Sequence, residues 1–174
     1  MRRLLLVTLT LLLALPAAGA LGRGTVASSS FAAVSRAGQD AAGAADAVSR
    51  ASGHTEAAYA ERAVAIALAE RGTPYRWGGS APGGFDCSGL VLWVYSRLGV
   101  TLPHSSYAQF GYGRHVSRAA LQPGDLVFSN GLGHVGIYVG DGMFVHAPHT
   151  GARVRVDSVA EYGFDGGRRL NLGR

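Results

Sequence analysis

Two kinds of patterning divide the chain. The first half carries apolar residues at helical spacing, and the second half carries short alternating runs between Gly-rich turns. From Ala57 to Arg71 an Ala-rich stretch with Val64, Ile66 and Leu68 ends at Gly72 and Pro74, which predicts a helix with its stop signals. Residues 72–86, with five glycines and two prolines, read as a loop with tight turns. Asp86 then fits the position before a helix. Leu90, Val91, Val94 and Leu98 would share one face of that helix, and Gly99 would end it. After a polar segment around Ser105 to Phe110, strands are expected at Asp125 to Phe128, His134 to Val139, Met143 to His146, Val154 to Val156 and Arg169 to Leu172. Helices first and about five antiparallel strands afterwards make an α+β domain over residues 58–174.

The start of the chain has a different character. Arg2 and Arg3 precede an apolar run from Leu4 to Leu15, and Ala18, Gly19 and Ala20 form a small-residue cleavage site, so residues 1–20 are expected to be a signal peptide. Residues 21–57 are mostly Ala, Ser and Gly and read as a linker, part of it with a weak helical stripe. Export after cleavage near Ala20 is the expectation, with the product secreted.

Composition narrows the function classes. The chain has 174 residues, 26 of them Gly, without the period of collagen. All 16 basic residues are Arg, and the formal charge is +5, or +3 once Arg2 and Arg3 are set aside. That excess is too small and scattered for nucleic acid. Nothing in the pattern asks for an oligomer, and a monomer is expected.

A single cysteine in an exported chain cannot staple it. Cys87 is therefore either a small buried residue or a thiol kept for chemistry. Its place at a helix start favours the second use, because backbone N–H groups and the helix dipole stabilise a thiolate there. Such a nucleophile needs a base, and the base needs an orienting group. His134 and His146 flank the segment VGIYVGDGMFV. A three-residue turn at Gly140, Asp141 and Gly142 pairs Val139 with Met143, which sets both histidines on one sheet face as diagonal neighbours. A two-residue turn at Asp141 and Gly142 puts them on opposite faces. His54, His104, His115 and His149 lack such company. Zinc would want four closely spaced ligands and more than one Cys, so no metal or other cofactor is expected.

The stretches GTPYRWGGSAPGGFDCSGLV (72–91), LPHSSYAQF (102–110), QPGDLVF (122–128) and GHVGIYVGDGMFVHAP (133–148) resemble the NlpC-type family of bacterial cell-wall endopeptidases. The resemblance implies a papain-like fold and a cysteine peptidase acting on peptidoglycan stem peptides, at the D-γ-glutamyl bond to the diamino acid. It implies Cys87 as nucleophile, His134 as general base and His146 as the group orienting it. It further implies Tyr75 as an oxyanion donor, and Asp86 and Ser88 as substrate contacts. His104 stands where the family often has Arg. The competing readings are a wall-binding protein without turnover, and an amidase or acyltransferase on the same fold.

Overall fold

The computed structural model describes residues 55–172, all within one compact unit; the expected signal peptide, and the linker up to residue 54, lie outside the described residues. Helix α1 covers residues 55–69, starting two residues before the expected boundary. A two-stranded hairpin, β1 (Ser80–Ala81) and β2 (Gly84–Phe85), lies inside the stretch expected to be loop alone. Helix α2 is Cys87–Ser96, followed by the one-turn α3, Ser106–Gln109.

The sheet has six strands where about five were expected. They are β3 (Arg114–Val116), β4 (Leu126–Ser129), β5 (His134–Gly140), β6 (Met143–His146), β7 (Arg155–Ser158) and β8 (Gly166–Arg169). Their order is β3-β8-β4-β5-β6-β7, every pair antiparallel. A short helix α4, Val159–Tyr162, follows β7.

The unforeseen strand, β3, has three residues, too few to show alternation. The last strand begins at Gly166, three residues before the expected start, because its glycines are strand residues and not turn formers. A Cβ on Gly166 would lie 2.9 Å from the Phe110 ring, and one on Gly167 would lie 2.9 Å from the Val116 carbonyl oxygen. Only bare backbone fits beside β3 and the Phe110 ring there. A bidentate pair from the Arg169 guanidinium to the buried Asp125 carboxylate, 2.6 Å at each oxygen, ties β8 to the residue before β4.

Helix α2 is the buried spine of the domain. Leu90, Val91 and Val94 join Leu126, Val135, Ile137 and Val145 in one core, each fully buried. Removing one such side chain from water is worth about 1.5–3 kcal/mol. Leu98, expected on the helix face, lies just beyond the helix end, and Gly99 follows at φ 78° in the closing turn. The amide of Gln109 donates to the carbonyls of Ser88 and Pro103, so α3 is fastened to the first turn of α2.

Candidate active site

The start of α2 is set by Asp86. Its backbone is extended, and its Oδ1 accepts the Gly89 N–H at 2.7 Å, which is the N-cap arrangement expected from the sequence. Oδ2 accepts the Gly78 N–H at 2.8 Å, so one carboxylate holds both the helix and the preceding loop. Ser88 Oγ adds a third donor at 3.2 Å. His104 contributes a fourth contact, its Nε2 lying 2.9 and 3.0 Å from the two oxygens. His104 therefore has company that the sequence does not disclose. Asp86 and Ser88 do line the groove beside Cys87, along with Trp77, His104 and Tyr107, but both are buried and the Asp86 oxygens are already engaged by this network. Trp77 and Tyr107 are the groove's exposed rings, at 89% and 63%.

Cys87 occupies the first position of α2 and is half-buried. Burial pushes its thiol above the ordinary value. Opposing this, the backbones of Val135, Ser88 and Cys87 itself favour the thiolate, while the Asp86 charge disfavours it. Cys87 packs against the core cluster that includes Val135, the residue after His134 on β5. Tyr75 is close enough for charge on Cys87 and Asp86 to raise its phenol, after burial, which raises it most.

The two histidines meet. His134 Nε2 lies 2.7 Å from His146 Nδ1, with ring centroids 5.0 Å apart and the planes nearly perpendicular. The turn that allows this is the second of the two alternatives, although its expected consequence, rings on opposite faces, does not follow. It is the two-residue turn, Asp141 at φ 52° and Gly142 at φ 74°, and Gly140 pairs with Met143. A register shift between Tyr138 and Gly140 then adds one residue to β5, so Ile137 pairs with Val145 and the strands continue in the register that a three-residue turn would have set. The bulge restores the parity that the short turn removes. Gly136 makes room for the pair, since a Cβ there would lie 2.9 Å from that of His146.

Beyond His146 stands a residue that the sequence reading missed. Asp157 on β7 places Oδ2 3.0 Å from His146 Nε2, and it also receives Arg155 Nε at 2.7 Å and the Tyr162 hydroxyl at 3.0 Å. The only available signal was alternation along β7, which pairs Asp157 with Phe144 and does not by itself point toward a histidine. Tyr162 also stacks on the His134 ring, centroids 5.8 Å apart.

Burial lowers His134 to about 4, helped by repulsion from His146 and His149. It lowers His146 to about 4 as well, against the opposing pull of the Asp157 hydrogen bond. Unfolded imidazoles take up protons near pH 6.5, so between about pH 6.5 and 4 the unfolded chain binds protons that the folded one refuses. The stabilising contribution is complete above pH 6.5 and is lost as pH falls toward 4, on the order of 3 kcal/mol per ring. Thermal unfolding should therefore show a lower Tm at pH 4.5 than at pH 7, and His146→Gln should shrink the difference. An equal difference in both proteins would contradict this account.

A buried helix that opens on a thiol and packs on an antiparallel sheet carrying paired histidines defines a papain-like α+β domain. Comparison with known proteins makes this specific. The NlpC/P60 family model matches residues 72–166, and the chain belongs to that family. A probable endopeptidase of Mycobacterium tuberculosis strain H37Rv is 53% identical over 94 residues, which is 53% of this chain and 24% of the relative. The probable endopeptidase p60 of Listeria seeligeri is 44% identical over 93 residues, 52% of this chain and 18% of the relative. The chain thus spans a quarter or less of the length of these relatives. Among solved structures, the NlpC/p60 domain of the peptidoglycan hydrolase SagA superposes with a TM-score of 0.61 at 36% identity, covering 64% of this chain and 98% of that one. The peptidoglycan hydrolase RipB of Mycobacterium tuberculosis gives a TM-score of 0.63 at 31% identity, covering 70% and 68%.

Proposed function

We propose that the protein is an exported cysteine endopeptidase that cuts peptidoglycan stem peptides between D-γ-glutamate and the diamino acid. The observation that carries the reading is the hydrogen-bonded His134–His146 pair on the sheet against which α2, opening on Cys87, is packed, in a chain similar to named peptidoglycan hydrolases. Export rests on the leader-like residues 1–20, and the enzyme acts as a monomer without cofactor.

His134 Nε2 is taken by His146, which leaves Nδ1 as the nitrogen for proton transfer. Cys87 gives its thiol proton to Nδ1 while the sulfur attacks the amide carbon. Negative charge develops on the carbonyl oxygen, where the Cys87 N–H and the Tyr75 hydroxyl are the donors. The C–N bond then breaks, and Nδ1 returns the proton to the leaving amine, giving a thioester. Water gives a proton to Nδ1 and attacks the same carbon. The C–S bond breaks, and the proton goes back to sulfur. Since burial raises the thiol and lowers the imidazole, the resting pair is neutral, and His134 acts as a base at the moment of attack.

The test is incubation of purified muropeptides with the wild-type protein and mass analysis of the products. The expected products are a disaccharide bearing L-Ala and D-glutamate, and a free peptide beginning with the diamino acid. Intact muropeptides, or cleavage at another bond, would overturn the assignment.

A further inference from the structure

We infer that Asp157 is a positioning residue that decides which nitrogen of His134 is the base, acting through His146. The inference rests on the proposed function for its catalytic meaning, although the proton placement itself stands on geometry alone.

All three donors to Asp157 converge on one oxygen, Oδ2: His146 Nε2, Arg155 Nε and the Tyr162 hydroxyl. Arg155 Nη2 donates to the Tyr162 oxygen at 2.9 Å, so the hydroxyl proton of Tyr162 is left to point at Asp157. A carboxylate held by an arginine and a phenol has no proton to offer. His146 Nε2 must therefore carry one. A neutral imidazole carries only one proton, which leaves His146 Nδ1 as an acceptor, and the hydrogen bond at 2.7 Å then requires a proton on His134 Nε2. His134 Nδ1 is left with its lone pair. With the opposite assignment at His146, the proton of His134 would sit on Nδ1 and the ring could accept nothing from the thiol.

The groups facing this relay come from each element packed on it: His134 on β5, His146 on β6, Arg155 and Asp157 on β7, Tyr162 on α4, and His149 in the turn after β6. Asp157 keeps its carboxyl below the usual range although burial raises it, because the hydrogen bonds from Arg155, His146 and Tyr162 outweigh that cost.

The experiment uses the full chain labelled with ¹⁵N and reads the ring nitrogens of the histidines at pH 7, alongside kcat and KM on muropeptides. In the wild type, His134 and His146 should both show the Nε2–H tautomer. Asp157→Ala should give mixed tautomers and lower kcat by on the order of 10-fold or more, with KM nearly unchanged. Asp157→Asn should restore much of the activity, since its amide oxygen can accept the same donors. Should Asp157→Ala fail to fold, Tyr162→Phe provides the second arm: with one donor gone, the pH at which the tautomers scramble should rise. Unchanged tautomers in Asp157→Ala, an unmoved scrambling pH in Tyr162→Phe, or undiminished kcat in an active protein would overturn the inference. If the wild type does not cut muropeptides, the proposed function falls, and the ring spectra still decide where the protons lie.

Discussion

Replacing Cys87 by Ala should reduce kcat/KM on muropeptides by at least on the order of 10⁴-fold while leaving the domain folded. The asymmetry follows from what the sulfur touches. In the proposed mechanism the thiol is the only attacking group, so its removal leaves the residual contribution of oxyanion donors and substrate binding. The structure, in contrast, depends on neighbours that the substitution spares. Asp86 still caps α2 through the Gly89 N–H, and Leu90, Val91 and Val94 still fill the core. Truncating one half-buried thiol to a methyl group should cost about 1 kcal/mol. Steady-state kinetics and thermal unfolding on the same preparation check both halves. A variant that keeps activity within tenfold of the wild type would place the nucleophile elsewhere.

The second large effect is on folding. Gly89→Ala should destabilise the domain by more than about 3 kcal/mol, although Ala in a helix is favoured over Gly by up to about 1 kcal/mol on propensity alone. The new Cβ would overlap the carbonyl oxygen of Gly79 and lie 2.9 Å from His104 Nε2. Gly79 is in no position to retreat. Its carbonyl accepts the Asp86 N–H at 3.0 Å, and its own N–H donates to the Arg76 carbonyl at 2.9 Å. Either α2 moves away from the hairpin loop, and the Asp86 network stretches, or the loop breaks its own turn. Urea unfolding measures the outcome. A midpoint equal to or above that of the wild type would mean that the loop yields easily and that the close approach has no structural weight.

These two positions show what the chain discloses and what it conceals. Helix α2 was legible because its signals are local: a capping Asp, an apolar face and a terminal Gly. The thiol at its first position could be read for the same reason, whereas the histidine pair was left open between two turns, and it forms with the two-residue turn that alone would have separated the rings. Contacts made by distant side chains could not be read. His104 reaches Asp86 across 18 positions, and Asp157 reaches His146 only because β7 is laid beside β6. The strand from Gly166 was displaced in the reading because glycine ordinarily marks a turn, whereas here it marks a place where the Phe110 ring and the β3 backbone leave no room. The bulge after Tyr138 was invisible for another reason. Gly140, at φ 109° beside the shift, reads as part of the turn as readily as part of a bulged strand.

That extra residue makes the β5–β6 hairpin behave as a counter with only two states. Length changes near its tip that come in pairs leave both imidazoles on the same side, whereas a change of one residue would turn the His134 end of the strand over and send its ring to the wrong face of the sheet. An alignment gap in this hairpin therefore matters by whether it is odd or even more than by its size, and a homologue that differs here by a single residue is expected to carry a compensating irregularity farther along the same ribbon.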